Sequence, residues 1–249
     1  MMRKTVIAVT LISTVIIGLP GVFAGNFSFD LESGAVWLTR NDVRIPGDSG
    51  TAFDMLNITG TGPWAAGRFH AIYEFNSRHA LRLTLAPLRV SGRGRFEKPI
   101  LFDDTVFQPN IGTKGVFQFN SYRLTYRYTL FDSDRWTLGF GGTVLIRDAK
   151  IQLVQKGLKD TNSNVGFVPL LHLYSAYRLS AATSIVCDAD AAGSPQGRAI
   201  DAALTVCWHP SPAWSFSAGY RTLEGGADND TVYTFTWAHY AIAAVSYRF

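Results

Sequence analysis

The chain has 249 residues, of which 47% are hydrophobic, 13% aromatic and 17% charged, with 23 Lys and Arg against 19 Asp and Glu. That aromatic content excludes a disordered or low-complexity chain, and so mild a positive balance requires no nucleic-acid partner. Two cysteines, Cys187 and Cys207, are too few for a disulfide scaffold.

At the N-terminus Arg3 and Lys4 precede an apolar run from Val6 to Leu19, broken by Pro20. Val22 and Ala24 then offer small-residue cleavage positions before Gly25. This is the layout of a cleaved secretory signal over 1–24. The run is shorter than the ~20 residues a spanning helix needs. Residues 25–249 then form one domain outside the cytoplasm.

From Gly25 onward the recurring period is two, the signature of strands. The first segment, 27–38, sets Asp30 and Glu32 on its polar face. After a long connection over 41–63, the segment 69–75 alternates Phe69, Ala71, Tyr73 and Phe75 with His70 and Glu74. A short turn at 76–79 leads to a weaker segment over 81–90, followed by a second long connection over 91–115. In 121–128, Tyr122, Leu124, Tyr126 and Tyr128 alternate with Ser121, Arg123, Thr125 and Arg127. The turn at 132–134 leads to 136–147, where Trp136, Leu138, Phe140, Val144 and Ile146 alternate with smaller residues and Arg147. A third long connection is expected over 155–165, then strands over 167–179, 183–190, 200–208 and 214–222. Shorter links fall at 193–197 and 225–230. The last segment, 233–249, alternates from Tyr233 to Phe249. A hairpin centred on Gly197 would set Cys187 opposite Cys207, and one centred on Pro195 would not.

Short turns alternating with longer connections describe an all-β, transmembrane, antiparallel up-and-down barrel. The segments number about ten, with eight and twelve as the neighbouring even counts, and both termini then fall on the periplasmic side. The polar faces carry Asp30, Glu32, Arg68, Glu74, Arg82, Arg123, Arg127, Arg147, Arg178 and Arg248, joined by Asp188 and Asp201. In a narrow lumen these charges are expected to pair into a network that plugs the barrel. Phe27, Phe75, Tyr128, Trp136, Tyr177, Trp208, Trp214 and Tyr247 gather at the short-turn ends as an interfacial girdle. The chain ends with Val245, Tyr247 and Phe249 at alternate positions, which resembles the assembly signal of bacterial outer-membrane barrels.

Three stretches carry a closer resemblance: 41–48 (NDVRIPGD), 120–128 (NSYRLTYRY) and 220–230 (YRTLEGGADND). They look like a family of small Gram-negative outer-membrane β-barrel proteins to which no activity is assigned. The resemblance covers most of residues 25–249 and implies location and fold; it supplies no catalytic residues.

Chemistry-bearing motifs are sparse. Gly47-Asp48-Ser49-Gly50 resembles a serine-protease nucleophile sequence, but nothing around it supplies the rest of a triad, and it reads as a polar loop. The His-x-Ser at His209-Pro210-Ser211 falls in a predicted periplasmic turn, and His70 and His172 are expected to face the lumen. No enzyme activity is expected, because no nucleophile and base come together in the sequence. Closure of the last strand on the first would bring Asp42, Asp48, Asp54, Glu224, Asp228 and Asp230 together as a candidate cation-binding rim, with Arg40, Arg44 and Arg221 beside them. The expected function is a structural or surface-interaction role in the outer membrane. The alternatives are a narrow pore for small solutes and a surface-exposed barrel hydrolase. The expected partners are outer-membrane lipid, lipopolysaccharide and the barrel assembly machinery, with no cofactor and no metal.

Overall fold

A computed structural model describes residues 27–249; the expected signal segment over 1–24 lies outside them. The strands are β1 (Phe27–Arg44), β2 (Phe53–Asp54), β3 (Trp64–Glu74), β4 (His79–Ala86), β5 (Arg89–Gly94), β6 (Ile100–Phe102) and β7 (Thr105–Phe107). They continue as β8 (Thr113–Asp132), β9 (Trp136–Gln155), β10 (Leu158–Arg178), β11 (Thr183–Ser194), β12 (Gly197–Trp208), β13 (Trp214–Asp228) and β14 (Tyr233–Arg248). One short helix, α1 (Leu56–Thr59), lies between β2 and β3.

The strands close into an antiparallel barrel of ten walls. β4 and β5 are two pieces of one wall, both paired with β8 and separated at Pro87-Leu88. The seam is β1 against β14, from Ser28 opposite Arg248 to Arg44 opposite Tyr233. Closure leaves the wall no free edge where it crosses the bilayer, as lipid requires. Each of the ten segments expected from period two forms a wall. The alternation is legible because lipid on one side and a narrow lumen on the other impose opposite demands on successive side chains.

Four short turns, at 75–78, 133–135, 179–182 and 209–213, lie at the end that also holds both described termini, where the Phe249 N–H donates to the Phe27 carbonyl. Aromatic pairs ring this end: Trp136 with Tyr177 and Trp214 with Tyr247, each at 4.7 Å between ring centres, and Phe27 with Tyr73 at 5.6 Å.

The opposite end differs from expectation in one place. The long connection expected over 155–165 is a two-residue turn, Lys156-Gly157, between strands of 20 and 21 residues. Both turn residues have positive φ (43° and 87°), the requirement of a tight hairpin turn, and Gly157 meets it without strain. The polar run from Lys156 to Asn164 hides the strand, because above the membrane no apolar face is demanded of it. The Pro195-Gln196 turn sets Cys187 opposite Leu204 and Cys207 opposite Ser184, so the two cysteines remain free thiols.

The two long connections fold over the barrel mouth. Met55 and Ile58 pack with Val36, Leu38, Val90, Phe102, Phe107, Phe117 and Leu153 in one buried apolar cluster. The connections also bond to each other, through Thr51 N–H to the Leu101 carbonyl and Asp103 N–H to the Ile45 carbonyl, both at 2.9 Å. α1 lies against β5 and β8 where the wall carries Gly92, Gly94 and Gly115. A Cβ at Gly92 would come within 2.5 Å of the Ile58 carbonyl oxygen, so only glycine admits the helix there.

Candidate functional site

Below that apolar layer the lumen is filled by charge. Asp201 on β12 holds three guanidiniums: Arg68 at 2.9 Å, Arg123 at 2.6 Å and Arg221 at 2.7 Å. Arg221 reaches on to Glu32 at 2.9 Å, and Arg68 approaches the same carboxylate at 3.6 Å. Arg123 also binds Asp190 at 2.9 Å and the Ser121 hydroxyl at 2.9 Å. The other oxygen of Asp190 accepts from Thr143 at 2.8 Å and His172 Nδ1 at 2.9 Å. Arg82 grips Asp188 with two bonds of 2.6 and 3.0 Å, and His172 Nε2 lies 4.0 Å from that carboxylate.

All ten walls contribute to this layer: Glu32, Arg68, Arg82, Arg123, Thr143, His172, Asp188 with Asp190, Asp201, Arg221 and, through a guanidinium–ring contact of 5.8 Å with Arg68, Tyr240. Each of these side chains points inward because its neighbours on the strand, such as Leu31, Leu83, Leu124, Leu171 and Tyr220, point to lipid. Four arginines face four carboxylates, so the layer balances its charge without the imidazole. That balance matters, because an unpaired buried ion costs several kcal/mol. His172 is 1% exposed and Asp190 2%. The cavity beside Glu32, Arg68, Ser121 and Tyr240, at about 20 Å³, has room for a single water.

The remaining expected lumen charges are spread along the barrel. Toward the short-turn end Glu74 pairs with Arg248 at 2.9 Å and lies 4.0 Å from Arg127, whose guanidinium stacks over Tyr174. Asp30 accepts from the Ser246 hydroxyl, and Arg178 donates to the Asp134 carbonyl at 2.8 Å. Arg147 lies apart from the central layer and donates to Asn164 at 2.8 Å.

Two central members escape the sequence reading. Arg221, expected beside the rim, sits deep in the lumen, because it follows the lipid-facing Tyr220. Parity alone would have placed it. Asp190 was legible in the same way, two residues from Asp188 on one strand face.

The six acids of the candidate rim are not gathered. Asp42 pairs with Arg40 at 2.6 Å and Glu224 with Arg198 at 2.8 Å, both on the outer face. Asp54 stands directly opposite Asp42 in the β1–β2 register, on the same face, and accepts the Leu56 N–H at 2.8 Å; burial and the facing Asp42 raise its pKa above the ordinary carboxyl value. Asp48 accepts from Ser49, its own neighbour in the Gly47–Gly50 loop, and its N–H reaches the Asp230 carbonyl at 3.1 Å. The loops therefore meet, and Asp42 faces Asp54, but the six acids, Asp228 among them, do not gather as a set. Alternation sends Asp42 and Glu224 outward, and the β1–β2 pairing sets Asp54 on the same face as Asp42. Among the described residues no group of three or more His, Cys, Asp or Glu could hold a metal ion.

Hydroxyl and imidazole do meet. Thr39 Oγ1 lies 2.8 Å from His239 Nε2, and Tyr220 holds the other ring nitrogen on the lipid-facing wall. Thr39 is the residue skipped in the β1–β14 register, a bulge that turns its hydroxyl to the histidine. The partner of the second nitrogen is a phenol, which lacks the negative charge that stabilises an imidazolium in a catalytic triad. The other contacts, His70 with Thr84 at 2.8 Å, His79 with the Tyr126 hydroxyl at 2.7 Å and Ser184 with His209 at 3.1 Å, have no acid on the second nitrogen. His172 has acids on both sides and no nucleophile.

No protein-family model matches the chain, and no curated protein does. Among solved structures it resembles the outer membrane protease OmpT from Escherichia coli, with a TM-score of 0.53 and 10% identity over 93% of this chain and 99% of that one. It also aligns with Ail, the attachment invasion locus protein of Yersinia pestis, at a TM-score of 0.42 and 12% identity, over 90% and 100% of the two chains. A third match is Neisserial surface protein A, at 0.39 and 13%, over 90% and 98%. The likeness to OmpT shows the fold: a closed antiparallel β-barrel of the kind found in outer-membrane proteins.

Proposed function

We propose that this chain is an integral outer-membrane barrel with a closed lumen, serving a structural or surface-interaction role and not transport. The observation that carries the reading is the central charge layer, to which every wall contributes and above which α1 and the two long connections fill the mouth. A conducting pore needs a hydrated path, and an enzyme needs a reachable nucleophile beside its base. Buried, mutually paired ions supply neither.

In this reading the exported chain is assembled through its terminal strand, with Val245, Tyr247 and Phe249 as the signal to the assembly machinery. Phe249 packs edge-on against Phe29 at 5.5 Å, so the signal also locks the seam. The reading is tested by solute flux. Liposomes carrying the folded barrel should swell in small sugars no faster than empty ones; swelling that scales with barrel content would contradict it.

A further inference from the structure

On the outer wall of β5, β8 and β9, four cations stand above the lipid-facing band. In the shared register Arg89, Gln118 and Lys150 form one row, and Arg93 and Lys114 lie two steps farther from the membrane. All four cations point outward, because the residues between them point in. Val90, Thr113 and Ile151 are buried, and Gly92, Gly94 and Gly115 face α1. Nearer the membrane the same three walls expose Leu85, Tyr122 and Ile146 in one row. Arg89 lies four residues beyond Leu85, about 13 Å along the strand and about 10 Å higher at the usual tilt. That is the level of the headgroups.

None of the four cations has a carboxylate partner. The nearest acid in the register, Asp148, is occupied by the amides of Gln118 and Asn120 at 3.0 and 2.9 Å. Across the barrel two outward arginines behave differently: Arg40 is held by Asp42 and Arg198 by Glu224, and both stack on Phe235. Two arginines of that side are thus neutralised by carboxylates, and Arg44 lies over the Tyr233 ring, whereas this side presents four guanidinium and ammonium groups, side by side, at headgroup height. Backbones two strands apart are about 10 Å from each other, so the patch can engage more than one anionic group at once.

We propose that this face, Arg89, Arg93, Lys114 and Lys150, binds the phosphate groups of the phosphorylated glycolipid of the outer leaflet. The inference rests on the outer-membrane reading. Guanidinium and ammonium donate charge-assisted hydrogen bonds to phosphate oxygens, and basic residues at an anionic membrane surface act together. The exposed Leu85, Tyr122 and Ile146 beneath them receive the acyl chains.

The test uses the whole folded barrel in neutral-detergent micelles, titrated with bisphosphorylated lipid A, with dephosphorylated lipid A and with phosphatidylcholine, in chelator to exclude bridging divalent ions. The wild type should bind the bisphosphorylated lipid about tenfold more tightly than either comparator, and added salt should erode the difference. Arg89→Gln, Arg93→Gln and Lys114→Gln combined should abolish the preference while heat-modifiable mobility stays that of the wild type. A Lys159→Gln variant, changed near the hairpin tip, should retain it. Equal affinity for phosphorylated and dephosphorylated lipid, or a full preference in the triple variant, would overturn the proposal and leave the barrel reading intact. A wild-type chain that never becomes heat-modifiable in micelles or vesicles would overturn the barrel reading, and this inference with it.

Discussion

Arg221 and Glu32 meet across β14, with 2.9 Å between Nη2 and Oε2, although 189 residues separate them in the chain. The pair ties β13 to β1 from inside the lumen, so the seam is held by side chains as well as by its backbone ladder. Replacing Arg221 with Ala leaves Glu32 buried and Asp201 short of one partner, and should cost about 3–5 kcal/mol. A Glu32→Leu, Arg221→Met double variant should lose less than the two single changes summed, since no ion is left alone. The urea midpoint of the heat-modifiable form measures both.

The glycines beneath α1 make a separate prediction. Gly92→Val would press on the Ile58 carbonyl and the Thr59 backbone, which cannot yield as a side-chain tip could. The expected cost is about 1–3 kcal/mol, taken up by displacement of the mouth segment. Protease added to intact cells should then cut within 45–63, which is protected in the wild type, while the barrel stays assembled.

Topology can be read on whole cells. Tags placed at Gly112 or within the Lys156-Gly157 turn should bind antibody on intact cells, and one at Ser133 should bind only after permeabilisation. The reverse pattern would invert the barrel.

Asp54 predicts a pH effect. Its carboxyl pKa is raised by burial and by Asp42, so the folded mouth favours the protonated form. The penalty is fully present above the raised value and is relieved as pH falls toward the ordinary carboxyl range. Protection of 45–63 should therefore increase on mild acidification relative to Asp54→Asn, which keeps an acceptor for the Leu56 N–H and has no proton to take up.

These residues also show where sequence is informative and where it is not. Within the bilayer, period two placed Arg68, Arg82 and Arg123 on the lumen side and Tyr122, Leu124 and Phe140 on the lipid side, because the membrane enforces the alternation. Above it the constraint lapses, and the strands around Lys156-Gly157 read as loop. A bulge at Thr39 shifts the parity of β1, which turns Asp42 outward and Asn41 inward, and no local signal marks it. Which carboxylate each arginine holds depends on strand stagger, a property of closure that no single segment encodes.

The central claim is that the lumen is closed by a layer of paired charges to which all ten walls contribute a side chain. Planar-bilayer recording of the purified barrel, beside Arg123→Ala, tests it most directly. Arg123 joins Asp190 to Asp201, so its loss opens the middle of the layer. The wild type should show no steady conductance steps, and the variant should show flickering or sustained ones. Large, stable steps from the wild type, unchanged in the variant, would contradict the account.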